Sequence, residues 1–535
     1  MTMFRLLVQQ VRRDRITLPI WILGTVFLLV VAAAAISQEF DDAAGRASIL
    51  RVALATPALL ALRGIPNGDS LGSGVNFQSF AFLALTIGLM NTFLATRHGR
   101  GDEEKGRREL VLATPVSRRA PFIATLMLGV IANGVFGVLA TVGYVATGLD
   151  AGGAILSAGA LALTGLAFLG IGLLAGQLTA TSRAANGVGT VAVLAAYAFR
   201  GAGDALGTPD LTRISLEPGW PSWLSVIGWG QQILPFTENR LWPLAVIGAL
   251  AVVTLVVAFV VQTRRDVGAS LLAERRGRAV ARAGLRSPFA LAWRLQWPTL
   301  VAWTAGSTLL GAVLGSLVTA ISKASIDNPQ IEGILASLGH TTQADVSRSL
   351  VVAITVIVGA VAGAAGVQAV LRLREEEIDG LMESVLAAPL SRYRWMLAFL
   401  VTAVVSVLVV LSVTGVAAAL SFAGSGDDEN AWFSLAQCLV QAPAALSFVA
   451  AAAVVVAVLP RFAVALSWVI YAAGIGIGLF GGLANFPDGV MNASPITHVP
   501  TLPTDDWVPT IVVGAIVLVV SGIALLRYRR RDLAA

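Results

Sequence analysis

Apolar stretches long enough to cross a lipid bilayer recur along the whole chain, and short polar segments separate them. An α-helix rises 1.5 Å per residue, so roughly 20 apolar residues span the hydrocarbon core of a membrane. The pattern predicts an all-α polytopic membrane protein with about 12 transmembrane helices. The predicted spans, all free of charged residues, are 16–38, 75–96, 122–149, 155–180, 184–199, 241–263, 295–322, 349–371, 395–422, 432–459, 462–486 and 507–526.

Arginine-rich segments alternate with acidic loops between these spans. Because positively charged loops stay on the cytoplasmic side, both termini are predicted to be cytoplasmic. The spans then form two parallel six-helix repeats: a first half over 1–263, an Arg-rich cytoplasmic linker over 264–294, and a second half over 295–535. Residues 4–15 predict a short amphipathic helix at the cytoplasmic interface. Residues 200–240, rich in Trp, Pro and Gly, predict interfacial or re-entrant helices on the outer side.

Composition and charge exclude several classes of function. Apolar residues make up 56% of the chain and charged residues 13%, far from the soluble globular norm. The net charge of +6 lies in alternate loops, which favours membrane orientation over nucleic-acid binding. Cys438 is the only cysteine in the sequence, so neither an internal disulfide nor a Cys-based metal site is expected. His98, His340 and His498 are isolated, and no phosphate-loop or nucleophile-elbow motif occurs, so the sequence does not predict an enzyme.

One charged segment occurs twice. Residues 100–118, the first charged repeat, align without gaps with residues 374–392, the second charged repeat. Apolar helices resemble one another by composition alone, but a charged stretch does not. The segments share 10 of 19 residues, namely Arg100/Arg374, Glu103/Glu377, Gly106/Gly380, Glu109/Glu383, Val111/Val385, Leu112/Leu386, Ala113/Ala387, Pro115/Pro389, Ser117/Ser391 and Arg118/Arg392.

Each charged repeat predicts a short amphipathic helix that docks a soluble partner. A proline pushes the preceding residue out of the α region, so a helix of about a dozen residues is expected from Asp102 to Ala113 and from Glu376 to Ala387. The alternative is a solvated loop that only fixes orientation, which would need basic but not acidic residues at matched positions. The predicted docking residues are Glu103, Gly106, Glu109, Leu112, Arg118, Glu377, Gly380, Glu383, Leu386 and Arg392.

The architecture and the run Glu-Glu-x-Gly-Arg-x-Glu-Leu-Val-Leu-Ala-Thr-Pro-Val-Ser-Arg at 103–118 resemble the ABC-2 type exporter permeases. More narrowly, they resemble bacterial polyketide-antibiotic and multidrug exporter permeases with fused halves. The resemblance implies ATP-driven export across the bacterial cytoplasmic (inner) membrane, powered by separate ABC ATPase subunits, two copies per chain. ATP and Mg would bind in that partner, with no cofactor in this chain. The second charged repeat departs from the motif, since Arg107 and Arg108 correspond to Leu381 and Met382.

A proton-coupled secondary multidrug transporter of 6+6 architecture is the competing prediction. Such exchange generally needs an ionisable group within the membrane, and every Asp and Glu falls outside the predicted spans. The transport path is therefore expected to lack buried charge and to suit a hydrophobic or amphiphilic solute. For each candidate the alternative is helix packing or lipid anchoring. The candidates are Gln78, Phe82, Asn91, Tyr197, Gln368, Trp468 and Tyr471.

Overall fold

A computed structural model describes residues 3–39, 43–272, 280, 287–327, 343–378, 380–387, 390–480 and 486–531. The chain divides into two compact units, Met1–Gly277 and Arg278–Ala535. Each unit is a helical bundle.

The first unit contains twelve described α-helices, a small hairpin and one 3₁₀ helix. The hairpin pairs β1 with β2 in antiparallel fashion, a feature that the all-helical expectation did not include. In chain order the elements are α1 Met3–Arg13, α2 Thr17–Glu39, α3 Ala43–Leu54, α4 Pro57–Arg63, α5 Leu71–His98, α6 Arg100–Glu104, α7 Arg107–Leu112, α8 Ala120–Ala146, α9 Ala151–Leu178, α10 Ser182–Ala205, β1 Thr208–Asp210, β2 Ser215–Glu217, the 3₁₀ helix Trp220–Leu224, α11 Val226–Gln231 and α12 Trp242–Arg264.

The second unit repeats this order of long helices, with the second charged repeat after its second long helix. Its described elements are α13 Pro288–Asp327, α14 Gln343–Ile378, α15 Leu381–Leu386, α16 Arg392–Gly424, α17 Asp428–Val440, α18 Ala442–Val458, the 3₁₀ helix Pro460–Phe462, α19 Ala463–Phe480, α20 Asp488–Met491, the 3₁₀ helix Pro495–His498 and α21 Val508–Arg530.

Eleven helices in the described part of the chain are long and apolar enough to cross a membrane. The class predicted from sequence, an all-α polytopic membrane protein, is confirmed. The fifth predicted span, 184–199, lies in α10, which is long enough but is not among the eleven. Asparagine, glycine and arginine residues interrupt its apolar surface. This helix packs against α4, α5, α9 and α11.

Close helix contacts build the core of each unit. In the first, α5 lies against α9, and a Cβ on Gly172 would come within 2.9 Å of the Thr92 backbone. In the second, α13 lies against α16, and a Cβ on Gly311 would meet the Thr414 carbonyl oxygen at 2.2 Å. Neither contact leaves room for a side chain, so both approaches depend on glycine.

The N-terminal helix α1 lies across the end of the first unit that carries the first charged repeat. Leu6, Leu7 and Gln10 are buried while Phe4 stays exposed, and the Gln10 side chain donates a hydrogen bond of 3.0 Å to Thr125 Oγ1 on α8. This amphipathic packing agrees with the interfacial helix that the sequence predicts.

The opposite end of the first unit holds a buried ion pair. The Arg200 and Asp204 side chains, on adjacent turns of α10, are both fully buried and lie 3.2 Å apart. Arg200 also donates to three carbonyl oxygens in the last turn of α4, those of Leu60, Ala61 and Leu62. The sequence does not indicate buried charge at this end of the unit, because both residues follow the charge-free span 184–199.

Candidate functional site

The two charged repeats share a glycine bend followed by a short helix. Gly106 precedes α7 with φ +67°, and Gly380 precedes α15 with φ +71°, both in the left-handed region that favours glycine. Each repeat therefore bends at its glycine, and a helix of six residues follows. The expected single helix of about a dozen residues is wrong at this point, although the helices end at Leu112 and Leu386, as the prolines predict.

A buried carboxylate fixes the first charged repeat to the end of α12. Glu103, whose side chain is 2% exposed, accepts from Arg265 Nη2 at 2.7 and 2.8 Å and lies 3.0 Å from Arg100 Nη1. Arg108 makes a third ion pair with the same carboxylate. Burial is the main cause that lowers the pKa of Arg108 below its ordinary value, and attraction to Glu103 offsets only part of this effect.

The backbone around this carboxylate is held by the same arginines. Arg100 Nε donates to the Gly176 carbonyl oxygen at 2.9 Å, and its Nη2 donates to that of Ala269 at 2.8 Å. Arg265 Nε donates to Gln177 Oε1 at 2.9 Å. The first residues of the predicted linker 264–294, including Arg265 and Ala269, thus pack against the helices of the first half.

The second charged repeat has an equivalent carboxylate. Glu377, with a side chain 4% exposed, lies 2.8 Å from Arg374 Nη1 and 2.7 Å from Arg531 Nη2. Arg265 and Arg531 occupy the same position, directly after the last helix of each half. We call Arg100–Glu103–Arg265 and Arg374–Glu377–Arg531 the two triads.

Sequence reasoning missed Arg265 and Arg531. The signal that identifies them is a second charged repetition, Arg264-Arg265-Asp266 and Arg530-Arg531-Asp532, after the sixth span of each half. Asp532 lies outside the described residues. Glu103 and Glu377, expected to offer carboxylates to a partner, are instead enclosed by arginines of this chain.

The short helices α7 and α15 present the exposed part of each repeat. Glu109 and Leu110 are exposed on α7, with Leu110 at 74%, and Leu381 and Glu383 are exposed on α15. Leu112 is half-buried. The side chain of Leu386 lies outside the described residues.

The arginines that end the two repeats differ. Arg118 is exposed, whereas Arg392 is half-buried and donates to the carbonyl oxygen of Arg531. The serines before them differ as well. Ser391 caps α16 by accepting from Arg394 N, but Ser117 accepts from Arg119 N and does not cap α8.

A second polar junction ties α1 to the first charged repeat. Arg13 Nη1 donates to both carboxylate oxygens of Asp102 at 2.9 Å, and Asp14 pairs with Arg97 and with the buried His98, the latter at 2.7 Å. Burial alone would raise the pKa of Asp14, but the hydrogen bonds and charges of His98 and Arg97 together hold it below its ordinary value. His98 is thus a structural partner of Asp14.

Three of the four path candidates in the first half come together near Arg200. The Phe82 and Tyr197 rings lie 6.1 Å apart, and the Arg200 guanidinium stacks 4.4 Å from the Tyr197 ring. Gln78 accepts a hydrogen bond from Arg63, the last residue of α4. Asn91 lies elsewhere and is fully buried.

Asn91 belongs to a helix–helix contact. Its amide exchanges hydrogen bonds of 3.0 and 2.7 Å with the amide of Asn133 on α8. Asn91 has no exposed surface and its amide is bonded to that of Asn133, so the packing alternative accounts for its contacts in this structure.

Of the path candidates in the second half, Gln368 lies on α14 and Tyr471 is bonded to that helix. Gln368 is exposed and accepts from Trp303 Nε1 at 2.6 Å. Tyr471 donates to the Ala360 carbonyl oxygen at 2.7 Å, and its ring lies 5.5 Å from that of Trp468.

The two halves also share a buried serine near their sixth long helix. Ser225 Oγ donates to the Ala196 carbonyl oxygen at 2.6 Å, and Ser494 Oγ donates to that of Gly474 at 2.7 Å. The first acceptor lies on α10, which holds the fifth predicted span, and the second lies on the corresponding helix α19. The pair supports the internal repetition read from the charged segments.

No group of three His, Cys, Asp or Glu side chains suited to a metal ion occurs in the described ranges. His340 lies outside them. Two helical halves, each with an equivalent triad and an exposed short helix, define a polytopic membrane protein with an internal repeat.

Comparison with known proteins gives the family. A family model described as the C-terminal domain of the multidrug efflux system permease Rv1217c matches residues 285–529. The multidrug efflux system permease protein Rv1217c of Mycobacterium tuberculosis is 33% identical over 526 residues, which cover 97% of this chain and 93% of that relative. The chain belongs to this family of membrane permeases, in agreement with its resemblance to ABC-2 type exporter permeases.

Proposed function

We propose that this chain is the permease subunit of an ATP-driven exporter that moves hydrophobic or amphiphilic compounds, such as drugs or antibiotics, out of the cell. Two copies of a separate ABC ATPase dock on the two charged repeats and supply the ATP and Mg site. The chain lies in the bacterial cytoplasmic membrane with both termini on the cytoplasmic side.

The observation that carries this proposal is the repeated pairing of a buried triad with an exposed helix. Each triad connects its repeat to the residue that follows the last helix of that half, α12 or α21. Buried, multiply bonded ion pairs hold one geometry, so a force on α7 or α15 reaches the long helices through them. A loop that served only orientation would need no such connection.

The exposed surface of the short helices suits a soluble partner. Glu109 and Glu383 are exposed carboxylates at matched positions, and Leu110 and Leu381 add apolar surface beside them. Glu103 and Glu377 act as positioning residues, because their carboxylates are already occupied. Docking is therefore assigned to Glu109 and Glu383.

Charge reversal tests this assignment. In cells that contain the full exporter, Glu109→Arg combined with Glu383→Arg should reduce drug efflux about tenfold or more, because like charges at an interface cost several kcal/mol and ~1.4 kcal/mol is a factor of ten. The complex purified from the same membranes should lose drug-stimulated ATP hydrolysis, while the variant chain keeps its thermal unfolding midpoint.

Glu217→Arg provides the matched control. Glu217 is exposed on β2, at the end of the first unit away from the charged repeat, and the same substitution there should leave efflux unchanged. Wild-type efflux by the double variant would contradict the docking assignment.

The solute path is proposed to involve the aromatic and amide candidates other than Asn91. Phe82 and Gln368 are exposed, and Tyr197 is buried beside the Phe82 ring. The half-buried members are Gln78, Trp468 and Tyr471. Aromatic rings with few polar groups favour a hydrophobic or amphiphilic solute.

The buried pair Arg200–Asp204 is the observation that favours the proton-coupled alternative, because it places an ionisable group inside the first unit. Three backbone carbonyls and Ser222 also bind this pair, which fits a structural role. In inverted membrane vesicles supplied with ATP, transport that persists after a protonophore is added supports the ATP-driven account. Transport that follows the proton gradient and needs no ATP supports the alternative.

A further inference from the structure

The first unit contains a basic cavity beside its triad that the docking proposal does not use. Its volume is about 180 Å³, and it lies where α12 ends and α8 begins. We call it the first-half cavity. Its lining consists of Glu103, Arg108, Arg118, Arg119, Gln262, Thr263, Arg265, Asp266 and Val267.

Two of the lining arginines are buried yet have unused donors. Arg265 is 9% exposed and its Nη1 has no hydrogen-bond partner, and Arg108 is 8% exposed with an unpartnered Nε. A buried donor without an acceptor costs free energy, about 1–3 kcal/mol and more for a charged group. An acceptor bound in the cavity would remove that cost.

The charge of the cavity favours an anion. Four arginines line it against two carboxylates, and one of these, Glu103, is already paired with three arginines. Arginine's planar fork of N–H donors matches the oxygens of a phosphate group. The volume is below the ~300 Å³ at which pockets for drug-sized ligands begin, so a small anionic group fits better than the transported drug.

At the equivalent described positions of the second half, two polar residues of the cavity lining are replaced. Tyr528 occupies the position of Gln262, and Met382 that of Arg108. Both are buried, at 1% and 2% exposure, and the Tyr528 hydroxyl donates to Glu377 at 2.7 Å and contacts Met382 Sδ at 3.5 Å. The second triad thus forms with the largely apolar side chains Tyr528 and Met382 packed beside it. The triad therefore does not require a polar cavity next to it, and the cavity in the first half is an additional feature.

The surroundings identify the source of the anion. The cavity adjoins the C-terminal end of α12, whose Val253, Val256 and Val260 side chains are exposed and apolar. A surface of this kind on a membrane-spanning helix faces lipid acyl chains, and basic pockets at the cytoplasmic ends of such helices bind anionic lipid headgroups.

We propose that the first-half cavity binds a phosphate group, supplied by the headgroup of an anionic phospholipid, through Arg108, Arg118, Arg119 and Arg265. The bound lipid stabilises the junction between the first charged repeat and α12. The site belongs to the chain itself and does not depend on the docking proposal, since it is measured without any ATPase.

Binding is measured on the purified full chain by native mass spectrometry, with phosphatidylglycerol or phosphatidylcholine added and inorganic phosphate as competitor. The wild type should retain phosphatidylglycerol preferentially. Arg118→Gln with Arg119→Gln should weaken that binding on the order of fivefold per arginine, since each basic residue near an anionic lipid contributes ~1 kcal/mol. These two side chains are exposed and outside the triad, so the fold should persist.

Two further variants sharpen the test. Arg264→Gln removes an exposed arginine next to Arg265 that does not line the cavity, and it should leave phosphatidylglycerol binding unchanged. Gln262→Tyr introduces the side chain of the second half, fills the cavity without changing any charge, and should abolish the preference.

The outcomes separate the possible sources. If inorganic phosphate displaces both lipids and the chain shows no preference between them, the cavity binds soluble phosphate and the assignment to a lipid headgroup is overturned. If Arg264→Gln weakens phosphatidylglycerol binding as much as the double variant does, the binding reflects surface charge in general and the proposal is overturned. Unchanged lipid preference in Gln262→Tyr would overturn it as well.

Discussion

At the scale of single residues, Glu103 and Glu377 differ from Glu109 and Glu383 in their surroundings, although all four are matched acidic positions in the sequence. The first pair is buried and enclosed by arginines, and the second pair is exposed. A buried ion pair that loses one partner leaves an uncompensated charge, whereas an exposed carboxylate is solvated before and after a change. Substitution of Glu103 or Glu377 should therefore lower the stability of the chain. Substitution of Glu109 or Glu383 should leave stability unchanged and act on transport.

Glu103→Gln and Glu377→Gln should each destabilise the chain by about 3–5 kcal/mol, because two or three buried guanidinium groups lose their counter-charge. The purified chain in detergent should unfold at a clearly lower temperature. Glu109→Gln serves as the control, and its unfolding midpoint should match that of the wild type. A Glu103→Gln chain as stable as wild type would remove the triad from its structural role.

At the scale of elements, the glycine bend separates the buried part of each charged repeat from its exposed helix. Gly106 and Gly380 both have positive φ, and a Cβ on either would meet open space, so only backbone strain opposes a substitution. The bend sets the direction in which α7 and α15 leave their triads. It thereby fixes where Glu109 and Glu383 lie.

Gly106→Ala should cost about 1–2 kcal/mol, the penalty for a left-handed alanine, and should also reduce drug efflux, because the strain is relieved by reorienting α7. Gly148 offers a matched control. It too has positive φ, +85°, with open space around it, in the loop after α8 at the other end of the unit. Gly148→Ala should lower the unfolding midpoint by a similar amount and leave efflux intact. Equal loss of efflux in both variants would mean that only stability matters.

The sequence predicts the elements better than their contacts. Charge-free runs and prolines are enough to place the long helices and the ends of α7 and α15, because these depend on local composition and backbone restriction. The bend at Gly106 is not predictable in the same way, because a shared glycine does not by itself indicate its backbone conformation. The role of Arg265 depends on a contact across 162 positions, which hydrophobic periodicity does not encode.

The burial of Arg200 and Asp204 could not be predicted for the same reason, because it depends on contacts between distant segments. They lie beyond the apolar part of α10, where α4 and the 3₁₀ helix Trp220–Leu224 pack against that helix and help to bury them. From the sequence, Asn91 is a candidate for the transport path because it is a polar amide in an apolar span. Its hydrogen bond to Asn133 on another helix is seen only in the structure. Contacts between distant segments decide such cases.

At the scale of the whole molecule, the repetition of triad, bend and exposed helix in both halves gives the chain two equivalent places for a partner to act. The second place lacks the double arginine of the first and, as Tyr528 and Met382 show, the polar lining of its cavity. Under the proposed function, the two ATPase subunits would therefore meet similar carboxylates in different surroundings. The proposed function requires that both exposed helices are covered in the working exporter.

Protection from chemical labelling tests that claim most directly. Leu110→Cys and Leu381→Cys place thiols on the exposed faces of α7 and α15, and the native Cys438 is buried. The rate of maleimide labelling at each position is compared in the intact exporter and in the chain freed of its partners, with Leu206→Cys at the far end of α10 as the control. Docking at both repeats predicts that labelling at 110 and 381 is several-fold slower in the intact exporter and that labelling at 206 does not change. Equal rates at 110 and 381 in both preparations would contradict it.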